Sequence, residues 1–139
     1  MKKILFFIFI ISCLSLQAQT QETPESLSDW LTEYGANKAD KGDFTSAIEA
    51  YNKALEWNPK NNLAFYNRAV AKHNLKDYKG AISDYTKAIQ LSQNNADAFY
   101  GRGVCWGSIG EIEKACIDLN NAASLGNKEA QSHKSILCK

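Results

Sequence analysis

From Phe44 onward the chain alternates two kinds of stretch: apolar positions spaced for a helix, then a few polar residues that interrupt them. In "FTSAIEAYNKAL", Ala47, Ile48, Tyr51, Ala54 and Leu55 fall at i, i+1, i+4, i+7 and i+8, one helical face. "NPKNN" from Asn58 breaks the pattern, because Pro59 has no N–H to donate and clashes backward with a preceding turn. "SQNN" from Ser92 does the same without proline. In "LGNKEA", Gly126 is suited to a left-handed helix end. The pattern predicts paired helices over about 28–41 and 44–57, 62–75 and 78–91, 96–109 and 112–125, with a last helix over about 128–137.

The pairs repeat. "KGDFTSAIEAYNKAL" at Lys41 returns as "KDYKGAISDYTKAI" at Lys76 and as "GEIEKACIDLNNAA" at Gly110. Gly42, Lys76 and Gly110 are spaced by 34 residues, as are Phe44, Tyr78 and Ile112, then Ala47, Ala81 and Ala115, then Ala54, Ala88 and Ala122. The first halves align as well: "LTEYGANKADKG" at Leu31, "FYNRAVAKHNLK" at Phe65 and "FYGRGVCWGSIG" at Phe99. A fixed period of this length marks a repeat architecture rather than a coiled coil.

These residues resemble the tetratricopeptide repeat family, whose 34-residue helix-turn-helix unit keeps small residues at its eighth, twentieth and twenty-seventh positions. Here those positions hold Gly35, Ala69 and Gly103; Ala47, Ala81 and Ala115; Ala54, Ala88 and Ala122. Small residues let the two helices of a unit cross closely. Tyr51, Tyr85 and Leu119 fill the space beside them. The first unit is the least regular, with Leu31 and Lys38 where the family often has aromatic residues.

The resemblance implies an all-α solenoid of three repeats, 28–61, 62–95 and 96–129, after a flexible leader at 19–27. "Ser-Leu-Ser-Asp", ending at Asp29, offers caps for the first helix. A C-terminal capping helix over 130–139 covers the last repeat, with Ile136 and Leu137 packed inward and His133, Lys134 and Lys139 facing water.

The resemblance also implies a concave groove lined by the first helix of each unit. The positions that usually face it hold Thr32 and Ala36; Tyr66, Asn67, Val70, His73 and Asn74; and Tyr100, Gly101, Val104 and Ser108. Family members that bind chaperone tails hold a carboxylate with two asparagines and three basic residues. Asn67 matches one asparagine, but Thr32, Ala36, Asp97 and Gly101 occupy the other positions, so no carboxylate clamp is expected.

The N-terminus reads differently. Lys2 and Lys3 precede an apolar run from Ile4 to about Leu16, then small and polar residues, the build of a signal peptide over 1–18 ending at Ala18. The run is short for a membrane span, which needs about 20 residues. Ser12-Cys13 resembles a lipobox, which leaves membrane anchoring through a lipidated Cys13 as the alternative. Either reading puts the folded part outside the cytoplasm, periplasmic or secreted. Removal of 1–18 leaves 14 basic and 15 acidic residues, so the net charge moves from +1 to −1. No clustered basic face suggests nucleic acid.

The remaining cysteines are Cys105, Cys116 and Cys138. The repeat reading sets Cys116 on the side of its helix that faces the capping helix, and Cys138 at that helix's end. A Cys116–Cys138 disulfide is therefore expected, with three buried free thiols as the alternative; the spacings do not suit zinc. "GRGVCWG" from Gly101 has phosphate-loop glycines but follows no strand, so close helix approach is the better reading. His73 and His133 stand without a nucleophile beside them. Trp30, Trp57 and Trp106 are expected to pack at repeat junctions. The chain reads as a non-catalytic scaffold, without cofactor or metal, for a protein or peptide partner in the cell envelope. Self-association of the repeats is the alternative, and a thiol enzyme using Cys105 or Cys116 a distant third.

Overall fold

The computed structural model describes residues 23–139. The expected signal peptide and Cys13 lie outside them. Seven helices follow in order: α1 Pro24–Asp40, α2 Phe44–Trp57, α3 Asn62–Asn74, α4 Tyr78–Leu91, α5 Ala96–Ser108, α6 Ile112–Ser124 and α7 Lys128–Leu137. Each helix packs on the next, and α1 also touches α3, as α3 touches α5. The first helices of the pairs therefore line one side of the array, an α-solenoid of helix-turn-helix repeats.

The pairs close where the small residues stand. Ala47, Ala54, Ala81, Ala88, Ala115 and Ala122 are wholly buried, with Tyr51, Tyr85 and Leu119 packed beside them. A Cβ on Gly35 would sit 2.5 Å from Tyr51 Cε1. The tyrosine ring of α2 thus occupies the space that a side chain on α1 would need.

The turns repeat as regularly as the cores. Lys76 N–H donates to the His73 carbonyl and Asp77 N–H to the Lys72 carbonyl, both at 2.9 Å. Gly110 and Glu111 do the same onto Gly107 and Trp106, at 3.1 and 2.9 Å. The geometry requires positive φ, met by Gly42 at 79° and Gly110 at 86° but by a lysine at Lys76, 63°. Asp43 and Asp77 cap α2 and α4 through their side chains, whereas Glu111 makes no side-chain cap on α6. Asn61, Asn95 and Asn127 cap α3, α5 and α7, accepting from Ala64, Ala98 and Ala130 N–H at 2.9, 3.0 and 2.7 Å.

Two largely buried ion pairs join the helices within a repeat, and their guanidinium groups also reach the repeat before. Arg68 forks onto Asp84 with bonds of 2.8 and 2.7 Å and donates to Asn52 Oδ1 of the preceding repeat. Lys72 joins Asp84 at 2.7 Å. Thirty-four residues on, Arg102 forks onto Asp118 at 2.7 and 2.8 Å and donates to Thr86 Oγ1 at 3.0 Å. Each guanidinium also lies over a ring, Phe65 or Phe99.

Several expectations need correction. The first helix starts at Pro24, within the expected leader, because the Thr23 hydroxyl accepts from Ser26 N–H and proline suits the first helical turn. Ser28 is therefore no cap; it is buried and donates to the Ala54 carbonyl at 2.9 Å. Trp30 and Trp57 are 57% and 52% exposed rather than packed at junctions. Trp30 stands one period before the buried Ala64 and Ala98, on a face of α1 that no described repeat covers, and it stacks on Tyr34 at 5.6 Å. Trp106 does pack on the core, with Lys114 Nζ 4.6 Å over its ring. On α7 the inward residue is Ala130. Ile136 is 72% exposed and Leu137 38%, since α7 lies as a first helix does and turns that end toward the inner face. His133 does not simply face water: its Nδ1 is 3.1 Å from the Tyr100 hydroxyl.

Candidate functional site

The inner face carries two adjoining hollows. One, about 240 Å³, lies between α3 and α5 and is lined by Tyr66, His73, Tyr85, Asp97, Tyr100, Gly101 and Val104. The other, about 450 Å³, lies between α5 and α7 and is bounded by Val104, Gly103, Gly107, Leu119, His133, Ile136 and Leu137, with Ser108 at its edge. Val104 borders both, so they form one groove.

Of the residues expected to face it, Tyr66, His73, Tyr100 and Val104 meet there, with Gly101. Thr32 does not: it is 2% exposed, its hydroxyl donating to the Ser28 carbonyl and accepting from Asn61 Nδ2 at 3.1 Å. Val70 packs against the core between α3 and α5. Asn74, at the end of α3, donates back to the Val70 carbonyl at 2.9 Å, and Asn67 lines neither hollow.

Tyr85 was legible only as a packing residue. Its ring crosses from α4 beneath α5 because Gly101 has no Cβ; one placed there would lie 2.6 Å from the Tyr85 hydroxyl oxygen. Tyr66 meets Tyr85 edge to face at 5.8 Å. Burial raises the hydroxyl pKa of Tyr85 far above the ordinary tyrosine value, and raises those of Tyr66 and Tyr100 less, with Asp97 and Glu129 adding to the respective shifts. The rings are thus neutral phenols that donate and accept hydrogen bonds at any ordinary pH.

The acids are placed by the asparagine caps. Asn127 Nδ2 donates to Asp97 Oδ1 at 2.9 Å. Asn61 Nδ2, two array steps earlier, reaches Asp29 Oδ1 at 3.4 Å, so Asp29 and Asp97 hold equivalent positions two periods apart. Among the described residues, none of the three cysteines is placed as a reactive thiol. Cys105 is fully buried and its pKa is pushed up to about 12 by desolvation, the reverse of an activated nucleophile. Cys116 and Cys138 are joined in a disulfide, with Cα atoms 5.7 Å apart, tying the end of α7 to α6. "GRGVCWG" is helical from Gly101 to Gly107, so its N–H groups point along the helix and form no phosphate loop.

A family model described as TPR repeat matches residues 37–76, and one described as tetratricopeptide repeat matches residues 63–95. Among solved structures the chain is similar to the Arabidopsis OM64 TPR domain, 27% identical at a TM-score of 0.80, covering 82% of this chain and 96% of that one. It is similar to the first TPR of Spaghetti (RPAP3) bound to the HSP90 peptide SRMEEVD, 27% identical at 0.79, covering 82% and 92%. It is also similar to the second TPR domain of human RPAP3 in complex with the HSP70 peptide SGPTIEEVD, 29% identical at 0.79, covering 84% and 98%. No curated protein matches the chain by sequence.

Proposed function

We propose that this chain, which belongs to the tetratricopeptide repeat family, is a non-catalytic scaffold that binds a protein or peptide partner in its concave groove, outside the cytoplasm. The observation that carries this reading is the groove itself: Tyr66, Tyr85 and Tyr100 converge beside Asp97 and open onto an apolar hollow. Two of the similar structures hold peptides. Export is supported by Lys2 and Lys3 ahead of the apolar run from Ile4, and by a cysteine pair set at bonding distance. Anchoring through a lipidated Cys13 is the alternative form of the same placement.

The test is capture from envelope extract by the purified protein and by a variant carrying Tyr66→Ala and Tyr100→Ala, first checked for unchanged helicity. A partner held by the parent and lost by the variant is the expected result. Equal capture by both would remove the groove from the binding surface. One observation favours a second reading, self-association: Trp30 and Tyr34 form an exposed stacked pair on the outer face of α1. Light scattering across a concentration series reads it directly, and a monomer at every concentration would end it.

A further inference from the structure

The peptides in the similar structures end in EEVD and are acidic. The groove here has the wrong charge for them. Among the described residues, no lysine or arginine lines either hollow. The lysine and arginines of α3 and α5 are committed elsewhere: Arg68 and Lys72 to Asp84, Arg102 to Asp118. Asp97 lines the groove with Tyr66 and Tyr100, its Oδ1 accepting from Asn127 Nδ2. A carboxylate among tyrosine rings suits a cation, which gains from the ring faces as well as from the charge.

The second hollow has a different chemistry. Val104, Leu119, Ile136 and Leu137 make its walls, and Gly103 and Gly107 leave room along α5. Gly103 is spoken for: an added Cβ would lie 3.2 Å from Asp118 Cβ and 3.3 Å from the Ala115 carbonyl oxygen. Gly107 is not. An added Cβ there meets only Leu137 Cδ2 at 3.7 Å and Ala115 Cβ at 3.9 Å, ordinary contacts. The space over Gly107 therefore serves the hollow, not the packing of α5 on α6.

Resting on the reading of the groove as a peptide site, we propose that its partner is an extended segment with a lysine or arginine close to a large aliphatic or aromatic residue. The cation lies over Tyr66 and Tyr100 toward Asp97. The apolar side chain enters the hollow between α5 and α7. Neighbouring helices are about 8–10 Å apart and an extended chain rises about 3.3 Å per residue, so the two side chains stand about three residues apart.

The experiment is selection of an unbiased displayed peptide library on the purified protein, then synthesis of the best binder. Enriched peptides are expected to pair Lys or Arg with Leu, Ile, Met or Phe at that spacing. Asp97→Lys and Gly107→Leu are each expected to weaken the synthetic peptide about tenfold or more, which is about 1.4 kcal/mol. Glu49→Lys, the same charge change on an exposed position of α2, is expected to bind as the parent does. A Cβ at Gly107 makes only ordinary contacts and the helix gains from losing a glycine. Gly107→Leu, with helicity and melting temperature checked against the parent, therefore tests occlusion, and Gly107→Ala is the control that folds without filling the hollow. Enrichment of acidic or neutral peptides that still need Tyr66 would keep the scaffold reading and overturn the cation. Basic peptides that bind equally well to Asp97→Lys, or that are weakened as much by Glu49→Lys, would overturn it too. No enrichment at all would overturn both readings.

Discussion

Arg102 grips Asp118 with two hydrogen bonds, of 2.7 and 2.8 Å, from a side chain on the first helix of a repeat to one on the second. Asp118 is almost wholly buried, and its partner is mostly so. Truncating the acid strands a guanidinium in a poorly solvated site. Asp118→Ala is therefore expected to cost about 3 kcal/mol or more in a urea titration. Asp84→Ala should cost at least as much, because it strands Arg68 and Lys72 together. A loss below about 1 kcal/mol in either would mean the pair is solvated as a surface pair is.

Lys76 occupies a left-handed backbone conformation that its neighbours in the array give to glycine. A Cβ there costs about 1 kcal/mol. Lys76→Gly is expected to recover about that much, read as a rise in melting temperature. An unchanged or lower value would show that the lysine side chain compensates.

Glu111 is the odd cap. Aspartate at the equivalent positions Asp43 and Asp77 accepts from the N–H three residues on, at 3.1 and 2.9 Å. Glutamate is one methylene too long for that ring. Glu111→Asp should stabilise α6 by about 1 kcal/mol, seen as slower amide exchange at the start of α6. No change in exchange there would count against the cap.

Alkaline pH should unfold the protein. The pKa of Cys105 is raised from 9.0 to about 12 and that of Tyr51 from 10.0 to about 12, both by burial first, with Asp40 adding to Tyr51. Tyr85 is raised further. For each, the neutral protonated form is favoured in the fold, so the unfolded chain releases its proton first. The stability is whole below the unfolded values and falls as pH rises from about 9 through 12. Melting temperature across pH 7 to 11 reads this, and Cys105→Ala should delay the onset toward the tyrosine range. A flat profile to pH 11 would contradict the burial of these groups.

Reduction of the Cys116–Cys138 bridge removes a closure over a sequence separation of 22 residues. The chain-entropy model assigns about 3 kcal/mol to a loop of that order. Because α7 buries only Ala130 fully, the loss should appear as fraying of that helix. Hydrogen exchange is expected to accelerate over α7 on reduction and to change little over α2 to α4. Uniform acceleration would show that the array opens as one unit.

The fold was legible because its constraints are local and periodic. Alanines at fixed spacing report close helix crossings, and asparagine or glycine at fixed spacing reports helix ends. The groove was legible only in part, since helix register alone decides which residues face inward. That served for Tyr66, His73, Tyr100 and Val104. It failed for Thr32, which Asn61 draws into a buried hydrogen-bond cluster from another helix. It also missed Tyr85, which reaches the groove from a second helix only because Gly101 lets its ring through. The ion pairs had a readable signal: Arg68 and Arg102 share the repeat period, as do Asp84 and Asp118. Their spacing of 16 residues crosses a turn, so no pattern confined to one helix reveals it.

The free end of each guanidinium rests on the repeat before it, Asn52 for Arg68 and Thr86 for Arg102. Asn52 and Thr86 are one period apart, and both offer an oxygen at that point. A chain lacking residues 62–95 would set Arg102 against Asn52, and the amide oxygen would accept where the hydroxyl does now. The joint between units is thus generic while the units differ. Such an array tolerates loss or duplication of a whole period without a new junction having to be invented, and lineages built on it are free to change length faster than they change fold.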